Sequence, residues 1–181
     1  MSSAYRTQTS IDMLVIHYSA TPDGAGFTAL DIDKWHAGRG FQRAYAARLG
    51  EEQWGRKSYA MHQPHLRAIG YHYVIRVNGL VECGRRVSET GAHAKGVNQR
   101  SIGVCLIGLG RFSRRQWAAL QSLVEGLQRD RTRDGLPPLR VIGHRDVPGA
   151  STNCPGFDVA DWLATGMRPM DGHVVDVESA A

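Results

Sequence analysis

No apolar run in this chain approaches the roughly 20 residues that cross a bilayer, so neither a transmembrane helix nor stable membrane insertion is predicted. The first ten residues, Met1 to Ser10, are polar and lack the apolar stretch of a secretory signal, which predicts a protein that starts life in the cytosol. Cysteine is scarce: three in 181 residues, an odd and small number that rules out a disulfide-stapled fold. Cys83 and Cys105 sit in strand-like runs and read as buried thiols. There is no repeated Cys-x-x-Cys pattern, no internal repeat and no break that would mark a second domain. Helix-turn-helix, zinc-finger and single-strand-binding signatures are also missing, so no nucleic-acid partner is expected. Acidic residues are the minority, 17 against 22 basic, giving a net charge of +5. That balance favours an anionic partner or surface without choosing among wall polymer, lipid headgroup and nucleic acid.

What is present suits one globular domain. An apolar content of 42% can fill one core in a chain of this length. Residues 11–18 carry a continuous apolar run ending in His17, as in a central strand covered on both faces. Thr28 to His36 reads as a short helix stopped by Gly38 and Gly40. Tyr71 to Val77 and Leu80 to Gly84 flank Asn78-Gly79, a strong hairpin turn signal. Residues 101–109 form a further uncharged strand. Ser113 and Gln116 fit a capping box, and Trp117, Leu120, Val124 and Leu127 share one face of the helix it opens. Leu139 to Ile142 is a short strand and Phe157 to Ala164 a last helix. This order predicts an α/β fold: a single mixed sheet flanked by helices.

Two segments resist the pattern. Residues 41–69 read as an irregular insertion, basic through Arg39, Arg43, Arg48, Arg56, Lys57 and Arg67 and packed by Phe41, Tyr45, Trp54 and Tyr59. A possible helical turn lies at Ala44 to Leu49. His62 and His65 lie here too, but the intervening Pro64 argues against a helical metal pair. The domain is placed at residues 1–166, and 167–181 is expected to be a poorly ordered tail.

The chemistry concentrates in residues 144–156, where His144 and Cys154 lie in a segment too rich in Gly and Pro for helix or strand. With His17 from a strand end they would make a three-ligand zinc site, and three protein ligands leave a fourth position for water, as in catalytic zinc. A hydrolase also needs a group to steer that water and a donor for the developing oxyanion. Tyr71, at the start of a core strand, is the candidate for the first role. Thr152, two residues before Cys154, is the candidate for the second.

Seven stretches carry a resemblance. They are Leu14 to Thr21, Trp35-His36, Gly70 to Ile75, Gly91 to Gly96, Ser101 to Gly108, His144-Arg145-Asp146 and Cys154-Pro155-Gly156. In this order they resemble the type-2 N-acetylmuramoyl-L-alanine amidases, zinc-amidase phage lysozymes related to peptidoglycan recognition proteins. The resemblance runs from about Leu14 to Leu163. It implies a peptidoglycan-recognition-protein-like fold and cleavage of the amide between N-acetylmuramic acid and the first L-alanine of the peptidoglycan stem. It implies Zn2+ on His17, His144 and Cys154, a catalytic Tyr71, and substrate contacts from His36, His93, Lys95 and Asn98. Thr152 stands where some members carry Lys, offering a neutral hydroxyl instead of a charge. The 33 residues between His36 and Gly70 exceed this connection in compact phage enzymes. Muropeptide-recycling amidases carry Asp as third ligand, so Cys154 points to the phage and recognition-protein branch. The expectation is a monomeric phage or prophage endolysin, made in the bacterial cytoplasm and released through holin pores to the periplasm and wall. A non-catalytic peptidoglycan-binding module and a recycling amidase are the alternatives.

Overall fold

The computed structural model describes residues 6–44, 63 and 65–177. Its centre is a five-stranded sheet built from β1 (Met13–Tyr18), β2 (Tyr73–Ile75), β3 (Val81–Cys83), β4 (Ser101–Leu106) and β5 (Arg140–Gly143). The order across the sheet is β3-β2-β4-β1-β5. Only the β2–β3 hairpin is antiparallel; β2–β4, β4–β1 and β1–β5 are parallel. The sheet is therefore mixed, as the sequence order predicts. The central strands β1 and β4 are buried almost throughout, which is why their apolar residues run on instead of alternating.

Among the described residues three α-helices cover the sheet: α1 (Ala29–Gly38), α2 (Arg114–Arg133) and α3 (Val159–Ala164). Both longer helices begin with full capping boxes, Thr28 with Asp31 and Ser113 with Gln116, which satisfy otherwise orphaned N–H groups. On one face of the sheet, Leu14, Ile16, Ile102, Val104 and Leu106 pack against Trp117, Leu120 and Val124 of α2 and Trp162 of α3. On the other, Val74 and Cys105 pack with Ile32 of α1, Leu66 and Ile69. Beside them Met13, Val15 and Ile142 pack with Ala94 and Val97. Along β1 the side chains alternate, so His17 follows Met13 and Val15 onto the face away from α2.

Two expectations need revision. The segment from Met167 to Val177 is packed, where the sequence suggests a poorly ordered tail. Phe112 N–H donates to His173 O at 2.9 Å, Val175 N–H donates to Phe112 O at 3.1 Å, and the buried Trp117 Nε1–H reaches His173 O at 3.2 Å. Isolated backbone bonds of this kind leave no periodic trace in a sequence. Second, part of the expected surface insertion is interior. Leu66 and Ile69 are fully buried, and Arg43 forms an ion pair with Glu89 at 2.6 Å with both side chains at most 1% exposed. Arg39, His65 and Arg67 are exposed as expected, and Phe41 packs against His36 with the rings tilted and their centroids 4.7 Å apart. The possible turn at 44–49 and Tyr45, Arg48, Trp54, Arg56, Lys57, Tyr59 and His62 fall outside the described residues, apart from Ala44 itself.

Candidate active site

Parallel pairing brings the site together. Ile16 of β1 lies opposite Gly143 of β5, and the two strands run the same way. The residues that follow, His17 and His144, therefore emerge at the same rim, with ring centroids 4.6 Å apart. β5 ends there because His144–Asp146 turns as a short 3-10 helix, with Asp146 Oδ2 accepting Gly143 N–H at 2.9 Å. The loop carrying Cys154 is tied back to that turn by Arg145 N–H donating to Cys154 O at 2.8 Å. Cys154 Sγ then lies 3.7 Å from His17 Nδ1 and accepts Tyr18 N–H at 3.2 Å.

One ligand atom each from His17, His144 and Cys154 falls within 4.8 Å of the others. His17 and Cys154 are buried and His144 is half-buried, so the cluster has a wall and an open side. Donors of a tetrahedral zinc ion stand about 3.5 Å apart at ordinary bond lengths, close to the His17–Cys154 separation. Two imidazoles and a sulfur suit zinc and disfavour oxygen-seeking magnesium or calcium. The residues therefore fit the metal expected from the sequence.

The electrostatics favour neutral donors. Burial, and then the neighbouring His93, His144 and His36, hold His17 well below its ordinary value. Burial also lowers His144. A neutral imidazole is the form that binds metal. Burial pushes the Cys154 thiol up to about 12, opposed by the Tyr18 N–H and Arg145, so without a cation the sulfur keeps its proton. A metal would displace that proton.

Tyr71 stands beside the cluster, its ring centroid 5.1 Å from His17 and 5.3 Å from His36. Burial raises its phenol well above the ordinary value, helped by the Cys105 and Cys154 thiols, so it remains a proton donor. Thr152 Oγ1 accepts Cys154 N–H at 3.2 Å, which leaves its own hydroxyl proton to donate.

The residues expected to touch substrate are placed differently from one another. Lys95 is exposed. His36 is buried, its Nδ1 accepting Gly70 N–H at 2.9 Å, and burial followed by the Arg39 charge pushes it down to about 4. Asn98 Oδ1 accepts the N–H groups of His93 and Ala94 at 2.8 and 2.9 Å, bracing the loop. His93 sits behind His17, Nδ1 to Nε2 at 3.0 Å. Sequence reasoning missed Asp33, whose Oδ1 accepts Ala68 and Ile69 N–H at 2.7 Å each, just before Gly70 and Tyr71. It also missed the bracing by Arg6, which donates to Val87, Asn98 and Ser101 carbonyls. A single polar residue in a helix or tail gives no spacing signal for either.

The profile of the N-acetylmuramoyl-L-alanine amidase family matches residues 7–157, a span that includes every residue of this cluster. The chain belongs to that family. An endolysin of Enterobacteria phage K11 is 30% identical to this amidase over 169 residues, covering 89% of each chain. Among solved structures, the N-acetylmuramoyl-L-alanine amidase LysC from Clostridium intestinale superposes with a TM-score of 0.62 at 23% identity, covering 92% of this chain and 94% of that one. Drosophila PGRP-LB superposes with a TM-score of 0.63 at 24% identity, covering 97% and 91%. The mixed sheet with its flanking helices is the fold of these proteins.

Proposed function

We propose that this amidase hydrolyses the bond between N-acetylmuramic acid and the L-alanine of the peptidoglycan stem, using zinc held by His17, His144 and Cys154. The convergence of those three donors from a strand end, a turn and a loop is the observation that carries the reading. Bound by these three donors, zinc would supply a Lewis acid for a carbonyl oxygen and an activated water. Tyr71, kept protonated, orients that water and donates toward the scissile amide. Thr152 donates its hydroxyl proton to the developing oxyanion, a neutral donor acting in a half-buried setting. Lys95, an exposed cation, pairs with an acidic group of the substrate. His36 shapes the wall behind Tyr71.

The kinship with a phage endolysin across 89% of each chain supports a lytic role, exercised on the wall of the bacterium that makes the protein. The net charge of +5 suits that polyanionic envelope. Among the described residues no helix is long and apolar enough to cross a membrane. The test pairs metal analysis with mass spectrometry of digested sacculi. One zinc per chain and new free alanine amino groups are expected. Products cut at a glycosidic or cross-bridge bond, or full activity in metal-stripped protein, would overturn the assignment.

A further inference from the structure

We propose that His93 is a positioning residue: it fixes the proton of His17 on Nε2 and so presents the Nδ1 lone pair to the metal. The inference rests on His17 being a metal ligand.

The argument is an accounting of protons. Ser101 Oγ donates to Val97 O at 2.8 Å. A hydroxyl has one proton, so toward His93 Nε2, 3.4 Å away, Ser101 Oγ acts only as an acceptor. His93 therefore carries its proton on Nε2 and a lone pair on Nδ1. That lone pair faces His17 Nε2 at 3.0 Å. His17 Nε2 must hold the proton, and His17 Nδ1, which faces Cys154 Sγ at 3.7 Å, is left bare. A metal-binding imidazole is neutral and keeps one proton, so with Nδ1 turned to the ligand cluster that proton of His17 sits on Nε2, facing His93 Nδ1.

The ring of His93 is held for this task by its neighbours. Asn98 Oδ1 receives His93 N–H at 2.8 Å, fixing its backbone. Two glycines make room for the imidazole: a Cβ on Gly91 or on Gly103 would come within 2.5 Å of His93 Cδ2. Both ring nitrogens are turned to protein groups, Nδ1 to His17 and Nε2 to Ser101. This separates the role from lining the substrate groove, which needs a nitrogen turned outward. An outer partner that fixes the tautomer of a metal-binding histidine contributes about 10–100-fold to metal affinity.

The full-length chain and three variants decide the matter. His93→Leu removes the acceptor, His93→Asn keeps an amide oxygen near the Nδ1 position, and Ser101→Ala removes the hydroxyl that sets the polarity. Zinc affinity is read by competition with a chromophoric chelator, after circular dichroism has verified the fold. The His17 tautomer is read in metal-free protein by long-range nitrogen–proton NMR. The parent should show the His17 proton on Nε2. His93→Leu should mix the tautomers and weaken zinc binding about 10–100-fold, Ser101→Ala less, and His93→Asn should recover most of the loss. KM for soluble muropeptides at saturating zinc should not move. Unchanged zinc affinity and tautomer in His93→Leu would overturn the proposal, as would a raised KM with unchanged zinc affinity. If the parent bound no zinc, the ligand assignment would fall, while the tautomer measurement would still decide what His93 does.

Discussion

His17 Nδ1 and Cys154 Sγ lie 3.7 Å apart although 137 positions separate them in the chain. Nothing in either residue's local sequence holds them together. Parallel pairing of β1 with β5 sets one, and the Arg145–Cys154 backbone bond sets the other. Their separation suits two ligands of one zinc ion.

Replacing the sulfur should abolish the metal but keep the fold. Cys154→Ser retains an acceptor for the Tyr18 N–H, so the loop should stay in place. Zinc content should fall below stoichiometric, and release of alanine amino groups from sacculi should drop by at least ~100-fold, which corresponds to about 2.7 kcal/mol of transition-state stabilisation. Plasma mass spectrometry and an amine assay read the two effects. Parent-level lysis by this variant would refute the catalytic role of Cys154.

Tyr71→Phe removes a donor while leaving the ring that packs against His17 and His36. The expected loss is in kcat, about 100–1,000-fold, with zinc stoichiometry and KM little changed. A KM effect alone would mean that the hydroxyl only binds substrate.

Acid should destabilise the metal-free protein in a defined window. His17, His72, His93 and His144 all lie below their ordinary value in the fold, chiefly through burial, and His36 is pushed down to about 4. Above the unfolded value of about 6.5 both states are neutral and the fold loses nothing. As pH falls below it, the unfolded chain takes up protons that the folded chain refuses. Each such histidine then removes about 1.4 kcal/mol of stability per pH unit until its folded value is reached. For His36 that totals on the order of 3 kcal/mol by about pH 4. Urea midpoints of chelator-treated protein between neutral pH and the folded value of His36 should fall steeply. A flat profile would contradict the neutral buried cluster.

The Arg43–Glu89 pair gives a stability prediction away from the metal. Glu89 accepts Arg43 Nε–H at 3.0 Å and Nη2–H at 2.6 Å, both inside the protein. Glu89→Ala strands a buried guanidinium and should cost about 3–5 kcal/mol. The double replacement of Arg43 and Glu89 by apolar residues should recover part of that. Thermal or urea unfolding of both variants measures it. A single variant as stable as the parent would mean that Arg43 finds water or another partner.

Much of this protein was settled by local sequence. Continuous apolar runs marked β1 and β4, Asn78-Gly79 marked the hairpin, and Ser113 with Gln116 marked the start of α2, because each depends on neighbours within a few positions. His17, His144 and Cys154 were singled out by residue type and, more strongly, by the order of the motifs around them. Their convergence was not legible. It depends on Ile16 lying opposite Gly143, a register that forms only when the whole sheet assembles. The same holds for the burial of Arg43, the packing of His173 against Phe112 and the turn of His93 toward His17. A side chain's polarity is written in the sequence, but its partner is chosen by distances that only the folded chain creates.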